Sequence, residues 1–235
     1  MRRRSVGLVV VALLALTACE LFESVDVITE QPDVVAPVPS LAPSDARAQL
    51  DGLRVTDRRP AGVPTYARDA FGSAWKDVDR NGCNQRDDVL LRDAVPGTTR
   101  VQVQHSCPHD VLAGTWVDPY TSRHLTFDDL KDPRQAQAIQ IDHVVPLAEA
   151  WVSGAHAWPD ERREQFANDL TVLLASDGPT NASKGSGDPA AWKPRKAFQC
   201  TYATHWIDVK HRWGLAVDIS EATALTEMLQ RCPPD

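Results

Sequence analysis

No apolar run in this sequence is long enough to span a bilayer comfortably; the longest clean one, Val6 to Leu16, is too short. No internal repeat is present, which excludes a fibrous repeat protein. The seven histidines show no HExxH pair, so the usual helical zinc-protease signature is missing. The five cysteines show no CxxC spacing, which weakens a thiolate zinc site. Positive charge is scarce: 25 basic side chains face 32 acidic ones, for a net −7. That balance argues against a protein that coats nucleic acid through bulk charge. What remains is a 235-residue chain with 43% apolar and 24% charged residues, near the globular average, which excludes wholesale disorder. One domain is favoured over two.

The first residues read as a targeting segment. Arg2, Arg3 and Arg4 precede the short apolar run, and Leu16-Thr17-Ala18-Cys19 is similar to a bacterial lipobox. Residues 1–18 are expected to be a lipoprotein signal peptide and Cys19 the lipidated residue, with a diacyl chain giving stable membrane attachment. The protein is then exported, either held at the outer face of the cell membrane through the lipid alone or secreted. Residues 19–48 read as an acidic, Pro-rich tether: Glu20 to Asp45 carries six acids and no Lys or Arg, with Pro32, Pro37, Pro39 and Pro43. Residues 49–235 form the expected domain. Without signal and tether, residues 46–235 carry about −4.

Export agrees with the other four cysteines, an even number that suggests disulfides. Three pairings are open. Cys83–Cys107 and Cys200–Cys232 are favoured because each closes a local loop; four thiolates on zinc is the competing reading.

Several elements are legible. A short helix at Ala46 to Leu53 starts the fold. Arg100 to His105 alternates like a half-buried strand. Thr115–Val117 and His124–Phe127 flank Asp118-Pro-Tyr-Thr-Ser122 and read as a hairpin. Ala138 to Val145 reads as a strand ended by Pro146, Pro159 starts a helix towards Asn168, and Leu170 to Leu174 reads as a strand. Phe198, Tyr202, Trp206, Val209 and Trp213 lie on one helical face, a core stripe. Ser220 is the expected cap of a last helix.

The chemistry concentrates in Ile141-Asp-His-Val-Val-Pro-Leu147, Phe166-Ala-Asn-Asp-Leu170 and Asn181-Ala-Ser-Lys184. Asp142 offers a hard oxygen suited to Mg²⁺. His143 points to the other side of an extended strand and suits a general base near neutral pH. Asn181 offers an amide oxygen to the same metal. Lys184, three residues on, shares its helical face and can meet phosphate charge. The order strand, loop, strand, helix is the layout of a ββα-metal site within an α+β domain.

These stretches resemble the exported bacterial HNH endonuclease family proteins related to the DUF1524 (GmrSD C-terminal) domain. The likeness spans roughly residues 50–232. It includes Arg68-Asp-Ala-Phe-Gly72, Asp77 to Arg86, Trp116 to Tyr120, Ile139 to Trp151, Arg162 to Leu170, Asn181 to Gly185 with Asp188 to Trp192, and Trp206 to Gly214. The resemblance implies a ββα-metal (HNH) core embedded in a single disulfide-stapled domain with C-terminal helices. It implies Asp142 and Asn181 as ligands of Mg²⁺ or Mn²⁺, His143 as general base, and Asn168 as the residue that orients loop and base. The third motif position is Asn rather than the more usual His, which disfavours zinc. The implied activity is hydrolysis of nucleic-acid phosphodiesters, DNA foremost, with little sequence specificity, by a monomer. The alternatives are a catalytically inactive HNH-like binding lipoprotein or a ribonuclease. The second domain that a restriction system needs is not expected.

Two further patterns stand apart. Asp77, Asp79, Asn81 and Asp88 fall at positions 1, 3, 5 and 12 of an EF-hand-like Ca²⁺ loop with Gly82 at position 6. The competing reading is a polar turn in which Arg86 holds nucleic acid or the wall of the site. Lys193, Arg195 and Lys196, beside Trp192, form a candidate phosphate-contacting edge. Asn181 to Trp213 carries a local +4, so the acidic total points to transient binding and release.

Overall fold

The computed structural model describes residues 41–58 and 60–234. The expected signal peptide and the expected lipidation site Cys19 lie outside the described residues, as does most of the stretch read as tether. Pro43–Gly52 forms helix α1, with Pro43 and Asp45 in its first turn, the positions that tolerate a missing N–H and favour an acid. It buries Ala46 and Leu50, one turn apart. Helix α1 thus starts inside the stretch read as tether.

Gln85–Asp93 forms α2, capped by the Asn84 side chain, which accepts from the Arg86 and Asp87 amides. Three strands follow: β1 (Arg100–Gln104), β2 (Cys107–Val117) and β3 (His124–Phe127), antiparallel in the order β1-β2-β3. The hairpin pairs Thr115 with Thr126 and Val117 with His124, as the turn residues imply. Pro133–Ala138 makes α3 and leads into β4 (Ile139–His143). Leu147–Val152 is α4 and Asp160–Ala167 is α5. Strand β5 (Leu173–Asp177) pairs antiparallel with β4, placing Asp142 opposite Leu174 and His143 opposite Leu173. Helix α6 (Gly178–Lys184) follows at once, its start capped by Asp177.

Strand β5 sits three residues later than Leu170–Leu174. Its register comes from β4 and from Asp118, whose Oδ1 accepts from Ser176 Oγ and the Asp177 amide. Five consecutive buried residues give it no alternation to read.

Gln199–Trp213 forms α7 and buries Tyr202, Trp206 and Val209 of the aromatic stripe. It ends at Gly214, whose φ of 67° is the left-handed stop that favours glycine. Ile219–Leu229 forms α8. Its cap is Asp218, in a reciprocal box with Glu221; Ser220 is exposed within the first turn and does not cap it. Disulfides join Cys83 to Cys107 and Cys200 to Cys232, the favoured pairing. Among the described residues no helix is long and apolar enough to cross a membrane.

Among the described residues two hydrophobic clusters make the core. One holds Val89, Leu90, Val111, Trp116, Ile139, Ile141, Leu173 and Ala175, between α2 and the sheets. The other holds Leu50, Val144, Val145, Trp151, Phe166, Leu174, Tyr202, Trp206 and Leu225, among the helices. Strand alternation explains the division: Ile139 and Ile141 face one cluster, Leu174 the other. The β4–β5 hairpin is thus packed on both faces, and the chemistry-bearing residues sit at its end.

Candidate active site

Asp142 and His143 are neighbours on β4, so their side chains leave opposite faces. Asp142 is buried and meets α6. Its two carboxylate oxygens accept from Lys184 Nζ at 2.9 and 2.8 Å, and Oδ2 also accepts from the Tyr120 hydroxyl at 2.5 Å. Lys184 Nζ also donates to the His143 carbonyl at 2.7 Å, and the Lys184 side chain has no exposed surface. Burial pulls the Lys184 ammonium below its usual pKa, against the opposing pull of Asp142. Burial first, then the charge of Asp142, holds the Tyr120 phenol well above its usual value, so it stays a donor.

On the other face, His143 Nε2 lies 2.9 Å from the Ala167 carbonyl. A carbonyl only accepts, so Nε2 carries the proton and Nδ1 keeps its lone pair. Burial lowers the His143 pKa to about 4; the Ala167 carbonyl opposes this, and the charges of Arg68 and Lys184 add to it. The imidazole is therefore neutral at pH 7. Trp75 stacks alongside, ring centroids 6.3 Å apart and planes 17° from parallel.

Asn168 is fully buried just beyond α5. Its Oδ1 accepts from the Lys76 amide and its Nδ2 donates to the Glu164 carbonyl, both at 2.9 Å. Lys76 Nζ also pairs with the Glu164 carboxylate. Asn168 therefore clamps the segment that carries Trp75 onto α5 and over His143.

Asn181 Nδ2 donates to Gln140 Oε1 at 2.9 Å. Helix α6 thus lays Asn181 over Gln140 and Lys184 over Asp142, two matched steps along β4. The donor types at Asp142 and Asn181 are hard oxygens, as Mg²⁺ requires. The arrangement does not fit a divalent cation, however. Asp142 is neutralised by a buried ammonium on both oxygens, and Asn181 serves a different partner. Lys184 Nζ holds Asp142 and the backbone of His143.

The proposed nucleic-acid residues separate. Arg86 is a half-buried brace: its guanidinium donates to the Ala136 and Ile139 carbonyls at 3.0 and 3.1 Å, pinning α2 to the start of β4. Lys193 pairs with Glu227 at 3.1 Å, while Lys196 is exposed. Lys193 and Arg195 line an open depression of about 520 Å³ together with Arg123, Thr180 and Ser183. Tyr120, whose hydroxyl holds Asp142, forms part of its wall. Asp77 and Asp79 accept from the Asn81 amide in one loop ahead of α2, and Asn81 Nδ2 donates to Asp88 in the first turn of α2.

Arg68, Trp75, Lys76 and Tyr120 were not singled out by sequence reasoning as site residues. Arg68 and Tyr120 lie in stretches that carry the family likeness; Trp75 and Lys76 have no local signal.

The site is an antiparallel two-stranded sheet whose second strand leads directly into a helix, with an imidazole at the end of its first strand. The chain belongs to the family of the GmrSD restriction endonucleases' C-terminal domain, whose model matches residues 85–228. That segment holds Asp142, His143, Asn168, Asn181 and Lys184 and leaves out the loop from Asp77 to Asn84. An uncharacterized secreted protein of the fungus Arthroderma benhamiae is 40% identical over 202 residues, covering 83% of this chain and 90% of that protein. That relative is fungal, so the likeness is not confined to bacterial proteins. No solved structure matches the chain.

Proposed function

We propose that this chain is an exported HNH-type endonuclease that hydrolyses nucleic-acid phosphodiesters, DNA foremost, with little sequence specificity, on a ββα-metal-like scaffold. The observation that carries it is His143: a buried, neutral imidazole whose Nε2 proton is fixed on Ala167, leaving Nδ1 as a base. In the reaction Nδ1 takes a proton from water, the water oxygen attacks phosphorus, and the bond to the leaving oxygen breaks. The leaving oxygen is protonated from solvent. Arg68, exposed and close enough to act on the His143 charge, meets the phosphate. Lys184 and Asp142 are positioning residues that fix the β4 backbone beneath the base. Because Asp142 and Asn181 face separate partners, no step is assigned to Mg²⁺ or Mn²⁺.

The two disulfides and the secreted fungal relative support an extracytoplasmic setting. Anchoring through Cys19 and a monomeric state complete the reading.

The test is cleavage of supercoiled plasmid and of RNA by wild type and His143→Ala, in Mg²⁺, Mn²⁺ and EDTA. Wild type is expected to nick plasmid, and His143→Ala to lose on the order of 10²–10⁴ in rate. Cleavage of RNA alone makes it a ribonuclease. No cleavage by wild type under any condition makes it a binding lipoprotein.

A further inference from the structure

We propose that the depression lined by Arg123, Lys193 and Arg195 is a second contact site for the nucleic-acid strand, taking a backbone phosphate away from the bond that is cut; the identity of the ligand rests on the endonuclease reading above. A chain with 25 basic and 32 acidic side chains repels a polyanion as a whole. It can hold one only where cations gather and acids do not. The depression, about 520 Å³, is such a place: three cations line it with one carboxylate, Asp177.

That carboxylate is occupied. Asp177 is only 6% exposed, and its Oδ2 accepts from the Thr180 amide at 3.1 Å and the Thr180 hydroxyl at 2.7 Å. Arg123 reaches it with Nη1 alone, at 3.3 Å to each oxygen, and its side chain stays 62% exposed. The other N–H groups of that guanidinium are left to meet a ligand. Lys193 pairs with Glu227, which is itself exposed. An exposed pair of this kind contributes little and can be exchanged for a phosphate.

What points to a ligand is Arg195. Its Nε is buried and has no hydrogen-bond partner, and among the described residues its guanidinium pairs with no carboxylate. An arginine N–H buried without an acceptor costs stability. An anion entering the depression supplies the charge that this side chain lacks, and a phosphate matches its planar fork.

Both arginines stand on fixed backbone. The Asp118 amide donates to the Arg123 carbonyl at 2.9 Å, and the Arg195 amide to the Tyr120 carbonyl at 3.0 Å, so one turn holds both segments. The same Tyr120 walls the depression and bonds Asp142, the neighbour of His143. Asp142 and His143 leave opposite faces of β4, so a phosphate in the depression belongs to a different nucleotide from the one cut beside His143.

The test uses the full chain carrying His143→Ala, to bind without cutting, and a short fluorescein-labelled strand as single-stranded DNA, duplex DNA and RNA, read by anisotropy. Arg123→Gln and Arg195→Gln should each weaken binding at least about fivefold and lower the salt slope by about 1. Arg80→Gln makes the same charge change on an exposed side chain, in the loop that meets Ser106 at the other end of β2. It should stay within about twofold. With His143 restored, the first two substitutions should raise KM for cleavage more than they lower kcat. No binding of any probe overturns the proposal, as does equal weakening by all three substitutions or none by the first two. Equal affinity for a polyglutamate peptide overturns it too, by making the surface a dock for an acidic protein. If Arg195→Gln does not fold, Arg123→Gln decides. Strands held through these arginines by a wild-type chain that cuts nothing would refute the endonuclease reading and leave this site standing. Cleavage with binding indifferent to both arginines would refute this site alone.

Discussion

The Lys184 ammonium reaches both oxygens of Asp142 at 2.9 and 2.8 Å, with the Lys184 side chain fully buried and that of Asp142 only 5% exposed. A buried pair of this kind is costly to break from one side, because the survivor keeps its charge without a partner. Lys184→Met should cost about 3–5 kcal/mol in urea unfolding. Adding Asp142→Leu should recover much of that loss. A single variant within about 1 kcal/mol of wild type would mean that water reaches the pair.

The base should titrate far below an ordinary imidazole. With His143 lowered to about 4 by burial, Nδ1 is free of its proton across the neutral range. Single-turnover cleavage should be flat from pH 8 to near 5.5 and fall only as pH approaches about 4. An inflection near 6.5 would show an imidazole in water instead.

Acid should also unfold the protein through its buried histidines. His143 and His205 are both lowered to about 4, burial being the largest cause for each. The unfolded chain takes up these protons near 6.5, the folded one only near 4. Their contribution is therefore complete above about 6.5 and is lost as pH falls towards 4, roughly 3 kcal/mol each. His205→Gln should flatten the stability curve in that window; an unchanged slope between pH 6.5 and 4 rejects the assignment.

Asn168→Ala removes the acceptor of the Lys76 amide and the donor to Glu164. We expect a stability loss of about 1–3 kcal/mol for the unsatisfied groups. Faster hydrogen exchange at the Lys76 amide and a fall in kcat larger than any rise in KM should accompany it. Equal effects on both constants would mean that Asn168 supports only the fold.

Much of this was legible because it is local. The Asp118–Ser122 turn between apolar flanks announces the β2–β3 hairpin, and the stripe from Phe198 to Val209 announces α7. The four cysteines paired as local loops suggest. Helix α2 was not legible: its apolar content is a short run, and its clearest mark is the Asn84 cap. At the site, the Asn181–Lys184 spacing puts both residues on one helical face, and alternation puts Gln140 and Asp142 on one strand face. Which meets which depends on how α6 docks along β4, a long-range choice that no local pattern encodes. So Asp142 and Asn181, read as partners, are each bound to someone else.

The β4–β5 hairpin is gripped from both sides by unrelated packing. Asp142 answers to α6 and His143 to the end of α5, although one peptide bond joins them. That bond works as a mortise between two blocks: a slip of either block against the other would twist it. Wear in either core, however far from His143, should thus register as misalignment of the base.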